Sequence, residues 1–461
     1  MKEIIFTKFQ FYLEMKILKI KLSNLYFFFI IFFLFYVLIL INTYSNLLKY
    51  EIFISTTKDF KGLIDKIVFS TQPSFEITNK SIEVSVEKTI RNNFLCCNNL
   101  YDENIKSIKL KINDNSLKKL TSNLPNSGRV YERGKMLYND SDWENIQFRL
   151  RGESFFHHDK NLPSLRLNLG KERSINMMGH INLTKPEDPY QISNYLSDYL
   201  ADEIGIMNQK HELVRLEINK FNFGLYHLHH RRDENLIRAN LRMPGPIFNL
   251  KKNNVSPNWE TRDFEIKGET KIYDNTDLLE NLINIINNQN PNKNSFESLW
   301  KIMNKEKFAK HFAYLNLIGS VHSDYGHNFM MYFDPTLGKF EPIIDDPLGF
   351  GAMTMPRTVS RILNKNEDPD FKIPLYERSM PLLNFMLKDP VFINLKNQYL
   401  FSFLNKYDAQ KQIKLVENIY QATENVILND YKKRAVFETI TGFKSIPLSN
   451  SDFNKYKKKL N

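Results

Sequence analysis

Residues Leu25 to Ile41 form an unbroken apolar run, and no charged side chain stands between Ser23 and Leu48. About 20 such residues in a helix cover the hydrocarbon core of a bilayer, so any water-soluble domain has to be built from the residues beyond Leu48. Lys2, Lys8, Lys16, Lys19 and Lys21 precede the run, and only Lys49 stands close behind it. The positive-inside rule then predicts a cytoplasmic basic N-terminus over 1–24, a single transmembrane helix over 25–42, and the rest of the chain outside the cell membrane. The segment after the run, Asn42-Thr-Tyr-Ser-Asn-Leu-Leu, has no small-x-small cleavage site, and the run is longer than a signal-peptide core. The anchor is therefore expected to stay on the chain.

With 461 residues, the part beyond the anchor can bury a large core. The net charge of +11 comes from 63 basic and 52 acidic residues interspersed along the chain. That mixture implies affinity for anions such as headgroups, nucleotides or acidic glycans, and no nucleic-acid motif accompanies it, so nucleic acid is not an expected partner. Cys96 and Cys97 are the two cysteines; being adjacent, they exclude a long-range disulfide and any recognisable metal-ligand spacing.

Chemistry concentrates in His322-Ser-Asp324-Tyr-Gly-His327-Asn328, followed by Tyr332-Phe-Asp334-Pro335, Gly338-Lys-Phe and Asp345-Asp346-Pro347-Leu-Gly349-Phe-Gly351. An acid four residues before an amide, then an acidic pair, is the order in which kinase-like phosphotransferases present their base and metal groups. Phosphoryl transfer needs hard cations with oxygen ligands and an acid near the acceptor hydroxyl. On that basis Asp324 faces the acceptor, Asn328 supplies a neutral oxygen and Asp346 reaches the metal. Asp and Asn beside Gly are also ordinary turn residues, and spacing alone leaves both interpretations open.

Several ordered blocks resemble the CotH-type spore-coat kinase family. Leu317 to Gly351 carries an Asp before His-Asn, an aromatic strand, Asp-Pro, Gly-Lys-Phe and a late acid. Upstream, Phe148-Arg-Leu-Arg-Gly-Glu-Ser154 with Pro163-Ser-Leu-Arg-Leu167 resembles the family's first strand pair. Leu213-Val-Arg-Leu-Glu-Ile-Asn219 with Phe223-Gly-Leu-Tyr226 resembles its asparagine hairpin and Gly-x-Tyr strand, and Phe248-Asn-Leu-Lys251 the segment after it. The resemblance implies an α+β, atypical kinase-like two-lobed domain, with a strand-rich first lobe, a helical second lobe and a ligand cleft between them. It implies Asp324 as the catalytic acid, Asn328 and Asp346 as ligands of magnesium or manganese, and a nucleotide triphosphate as donor. Asp345 stands where the family has Trp and is the neighbouring choice for the metal. The family's Lys before the second strand is replaced by Leu162-Pro163, so Lys160 or Arg166, with Arg149 and Arg151, are expected to meet the phosphates. After the Gly-x-Tyr strand the family's Glu is replaced by His230-Arg231-Arg232.

The domain plan is a connector or small β module over 43–106, a kinase-like domain over 107–440, and a polar basic tail over 441–461. Alternation predicts strands at Ile108–Ile112, Phe148–Leu150, Leu165–Leu169, Leu213–Ile218 and Leu225–His229, the last two joined by the loop Asn219–Gly224. Helical spacing predicts Ser193–Gly205, Asp277–Ile286, Lys305–Ile318, Pro381–Leu387, Pro390–Leu404 and Ala409–Phe437. Lys251–Lys271 and Asn287–Asn294 read as polar excursions, and the lysines after Asn454 as a solvated end. His227 and His229 share a strand face, but no third ligand at recognisable spacing makes them a zinc site. Function is thus expected to be metal-dependent phosphoryl transfer to a hydroxyl of a protein or glycan substrate in the cell envelope. The alternative is a non-catalytic envelope protein that holds a glycan or protein partner in the same cleft.

Overall fold

A computed structural model describes residues 105–320, 328–350 and 380–460, apart from short interruptions. The apolar run at 25–42, most of the connector, the cysteine pair, Lys160 and Asp324 lie outside the described residues. No helix among the described residues is long and apolar enough to cross a membrane.

The described part starts with strand β1 (Ser107–Ile112), helix α1 (Asp114–Thr121) and strands β2 (Glu132–Tyr138), β3 (Glu144–Leu150), β4 (Leu165–Asn168) and β5 (His180–Thr184). Helix α2 (Ser193–Ile204) and the two-residue β6 (Met207–Asn208) lead to β7 (Glu212–Ile218) and β8 (Phe221–His230). Seven of these strands form a closed barrel in the order β1-β2-β3-β4-β5-β8-β7, sealed by parallel pairing of β1 with β7. Alternation explains the two faces of its wall. Phe148, Leu167 and Ile181 are cross-strand partners, fully buried, and point into the barrel with Leu150, Leu165, Leu183 and Leu228. The intervening positions point outward; on β3, β4 and β5 these are polar, and on β8 Leu225 is followed by His227 and His229.

Strands β3 and β8 are both longer than alternation predicts, β3 running from Glu144. Strand β8 starts at Phe221, so the connection to β7 is the two-residue turn Asn219-Lys220 and not a six-residue loop. Both turn residues have positive φ, 52° and 69°, the conformation whose twist matches paired antiparallel strands. Asn219 additionally clamps β1, accepting from the Ile112 N–H at 2.8 Å and donating to the Ile112 carbonyl at 2.7 Å. Gly224 (φ 82°) sits in the long strand where the register slips; a Cβ there would overlap the Asp430 carboxylate.

After β8 come helix α3 (Glu234–Ala239), strands β9 (Ile247–Leu250) and β10 (Phe264–Lys267), and helices α4 (Thr276–Ile286), α5 (Lys293–Ile302) and α6 (Lys305–Ile318). Strands β11 (Met330–Asp334) and β12 (Lys339–Ile344) complete a five-stranded sheet in the order β10-β9-β11-β12-β6. Helix α6 lies against this sheet, its Phe308, Phe312 and Leu315 packed in one core with Phe248, Met331, Phe340 and Ile344. Strand β10 falls inside the segment Lys251–Lys271 read as a polar excursion, and helix α5 begins at the end of the other, Asn287–Asn294. Helix α5 starts at a capping pair, Asn292 with Ser295, and buries Leu299, whereas β10 needs its partner β9 to exist at all.

The remaining helices are α7 (Pro381–Met386), α8 (Pro390–Lys406) and α9 (Ala409–Asn429). The helix expected to reach Phe437 stops at Asn429 and is followed by a hairpin of β13 (Arg434–Thr439) and β14 (Gly442–Pro447), then helix α10 (Asn450–Leu460). The lysine-rich end is therefore no loose tail. Phe453 is fully buried against Tyr420, and Lys457, one turn further on the same face of α10, stands over the Tyr420 ring and bonds Glu424 at 2.6 Å. The fold as a whole is α+β.

Candidate active site

Strand pairing lines up a polar row on the outer wall of the barrel. Arg149 on β3 pairs with Arg166 on β4, Arg166 with Asn182 on β5, and Asn182 with His229 on β8. Thr184 and His227 form the neighbouring pair. The Arg166 Nε donates to the Asn182 Oδ1 at 2.8 Å, and the buried Asn182 amide donates in turn to the His230 carbonyl at 3.1 Å. The guanidinium is thereby held in one orientation.

The second group of residues is assembled by the five-stranded sheet. Asn328 stands just before β11 and Asp345-Asp346 just after β12. Because these strands run antiparallel, with Met330 opposite Ile343, the amide and the acids come to the same sheet end although some seventeen positions separate them in the chain. Strand β6 pairs in parallel with β12, placing Gln209 beside Asp345. The Gln209 amide and the Arg232 guanidinium both bond the Asp345 carboxylate, which is 1% exposed. Asp346 takes a left-handed backbone, φ 46°, and its Oδ1 accepts from Asn194 of α2 at 2.7 Å.

These two groups line one cavity of about 730 Å³. Five residues singled out from sequence meet there: Arg149, Arg151, Arg166, Asn328 and Asp346. Asp345 sits behind it, engaged by Arg232. Asp324 and Lys160 lie outside the described residues. Sequence reasoning missed Lys185, Glu187, Asn194 and Gln209, all in the lining. Lys185 follows β5 directly and is 3% exposed; a lysine closing an apolar strand was the available signal. A lysine and a glutamate thus do reach the cavity, though not from the places where the resemblance sought them.

Electrostatics are dominated by burial among like charges. Arg166 is pulled down to about 9 by burial, then by Arg149, Arg151 and Arg231, and Arg151 is lowered by burial and by Arg232. Both stay charged at neutral pH, in surroundings that favour an anion. Burial also lifts the Asp345 carboxyl, with Asp346 adding to the effect and Arg232 and Arg151 opposing it. His157, His227 and His229 are kept neutral. Burial, with His211 adding, takes His227 to about 3 and His229 well below its usual value. Neutral His229 donates from Nδ1 to the His230 carbonyl (2.9 Å) and accepts from the Thr184 hydroxyl (2.8 Å). His157, held neutral by burial and by Arg151, lies 3.2 Å from Glu187. Among the described residues no three of His, Cys, Asp and Glu are grouped as metal ligands.

The sequence model of the CotH kinase protein family matches residues 148–457, two thirds of the chain. The chain belongs to this family. Its matched region begins in β3, at the first strand of the arginine row, and ends in α10, so the C-terminal hairpin and helix belong to the family's domain. The protein is accordingly kinase-like. No curated protein matches the chain.

Proposed function

We propose that this CotH-family protein is a metal-dependent phosphotransferase that moves a phosphoryl group to a hydroxyl of a protein or glycan in the cell envelope. The observation that carries the reading is the single cavity lined by three arginines of the barrel wall and, across from them, by Asn328 and Asp346. In this reading the barrel and the helix-backed sheet are the two lobes of an atypical kinase. The donor set suits magnesium or manganese: a carboxylate and an amide oxygen, both hard ligands, with the phosphates and water completing the shell. Asp346 is the preferred carboxylate, since Asp345 is engaged by Arg232 and Gln209. A bound cation would neutralise the polyphosphate as charge shifts to the leaving oxygen. Arg149, Arg151 and Arg166 grip phosphate oxygens through charged hydrogen bonds, and Lys160 is a further candidate for that role. Asp324 orients the acceptor hydroxyl and takes its proton. Residues 25–42 anchor the domain to the membrane, with the domain outside.

The reading is tested by following labelled phosphate from donor to candidate envelope proteins and glycans, autophosphorylation included, in wild type and Asp324→Asn. A group that acts on the acceptor in the transition state should cost on the order of a hundredfold or more in turnover and leave donor affinity nearly unchanged. Equal turnover in the two proteins would assign Asp324 to a turn, and absence of transfer with every donor and metal would leave a ligand-holding envelope protein as the better account.

A further inference from the structure

The outer wall of the barrel carries a second concavity, of about 390 Å³, on β2, β3 and β4, and it shares no lining residue with the arginine-lined cavity. Strand register builds it. Arg133 pairs with Gln147 and Gln147 with Asn168, while the next outward pair along β2 and β3 is Lys135 with Asn145. Ile146, Phe148, Leu167 and Leu169 alternate with these residues and are buried, so the polar side chains all stand on the outer face. Arg133, Lys135, Asn145 and Gln147 are exposed. Two of the amides are held in place: the Asn168 Nδ2 donates to the Gln147 Oε1 at 3.0 Å, and the Gly170 N–H donates to the Asn168 Oδ1 at 3.0 Å. Gly170 has a left-handed backbone, φ 89°, and a Cβ there would meet nothing within 4 Å. The backbone beside the amides is thus open to close approach by a ligand.

An aromatic ring and a further cation extend the groove. Lys111 of β1 pairs with Lys135, and its Nζ lies 3.8 Å from the centroid of the Trp143 ring, which places this indole, 38% exposed and just before β3, on the same face. Like charges directly opposite one another on paired strands destabilise a sheet unless an anion offsets them. The cations Lys111, Arg133 and Lys135 stand on β1 and β2, and the amides Asn145, Gln147 and Asn168 on β3 and β4. A side-chain amide presents a donor and an acceptor side by side, which neighbouring hydroxyls of a sugar ring can meet together. A guanidinium suits a carboxylate, and an indole offers a flat apolar face for a pyranose. A phosphodiester strand, charged at every link, gains from cations along its whole path, whereas here charge lines one flank and amides the other.

We propose that this groove is a docking site for an acidic polysaccharide, a strand of pyranose rings that bear carboxylates. The strand lies along β3, its carboxylates turned to Arg133 and Lys135, its hydroxyls to Asn145, Gln147 and Asn168, and one ring against Trp143. The site binds and makes or breaks no bond. It is separate from the arginine-lined cavity, so it stands whether or not that cavity transfers phosphate.

The test titrates the full chain in detergent micelles with three probes: oligogalacturonate; its methyl ester, which keeps the rings and loses the charge; and oligouridylate of equal charge. Oligogalacturonate should bind at least about tenfold more tightly than either of the others. Asn145→Ala/Gln147→Ala should weaken it about tenfold or more, and Arg133→Gln should weaken it about tenfold while leaving the methyl ester unchanged. These side chains are exposed, so the melting temperature should hold in both variants; should the double variant unfold, Arg133→Gln decides alone. Arg149→Gln, in the other cavity, should leave oligogalacturonate affinity within about twofold. Wild type that binds no oligogalacturonate, or binds the methyl ester or oligouridylate as tightly, would overturn the proposal. A loss in Arg149→Gln equal to that in Arg133→Gln would overturn it as well, by moving the glycan into the arginine-lined cavity. None of these outcomes bears on phosphoryl transfer, which the labelled-phosphate assay reads separately.

Discussion

At the scale of single residues, two adjacent acids have been given different environments. Asp345 is buried under Arg232 and Gln209, where removing its partner would strand a charge, while Asp346 faces the cavity on a left-handed backbone. Asn tolerates that conformation about as well as Asp, and its Oδ1 can keep accepting from Asn194. Asp346→Asn should therefore keep the melting temperature within about 2 °C, corresponding to the ±0.5 kcal/mol of a neutral substitution, and lose magnesium-dependent donor binding by on the order of a hundredfold. Metal-independent binding of equal strength in both proteins would take Asp346 out of the site. A second residue predicts the pH response. His311 is fully buried in α6, its ring against Phe312, and burial lowers its pKa from 6.5 to about 3. Between those values the unfolded chain binds more protons than the folded one. Its contribution to stability is thus complete above about pH 6.5 and is lost as the pH falls toward 3, at most ~1.4 kcal/mol per pH unit. His227 and His229 act in the same direction. His311→Leu should flatten the acid side of a melting-temperature profile between pH 6.5 and 4; an unchanged slope would mean that the ring protonates normally in the folded protein.

At the scale of elements, what was legible depended on how local the signal was. Helices α2 and α6 were readable because apolar spacing, an Asn304 cap at the start of the second and a left-handed glycine at the C-terminus of each, Gly205 and Gly319, are all local signals. Strands β3, β4 and β7 announced themselves by alternation. The hairpin β13–β14 did not, since Ala409 to Phe437 carries apolar residues at helical spacing; Asp430, the first residue past α9, has its carboxylate where a Cβ on Gly224 would fall. Strand β10 owes its form to β9. The β7–β8 turn is decided by two residues that accept positive φ, and Asn219 also ties it to β1. Asn219→Ala removes both hydrogen bonds and disfavours the turn, so it should destabilise the domain by about 2 kcal/mol. Chemical denaturation with the slope unchanged would report this directly, and a loss below ~0.5 kcal/mol would show that the clamp contributes little.

At the scale of the whole molecule, the asymmetry of lysines around the apolar run predicts the domain outside the membrane. A reporter active only in the cytoplasm, fused after Asn461, should stay dark, whereas one active only outside should be bright; the reverse pattern would refute this topology. Sequence alone determined what depends on neighbours in the chain: the apolar run, the alternation that makes the barrel wall polar outside and apolar within, the long helices, and the family blocks that named Arg149, Arg151, Arg166, Asn328 and Asp346. Tertiary structure decided what depends on residues far apart in sequence. Parallel pairing of β6 with β12 brought Gln209 to Asp345, and the turn after β8 brought Arg232 there, so that of two equivalent acids one became a buried ion-pair partner and the other faced the cavity. Closure of the chain set Lys185 and the neutral His157 in one cavity with Arg151. No local pattern encodes those outcomes, because register, burial and the field of distant charges exist only once the chain has closed on itself.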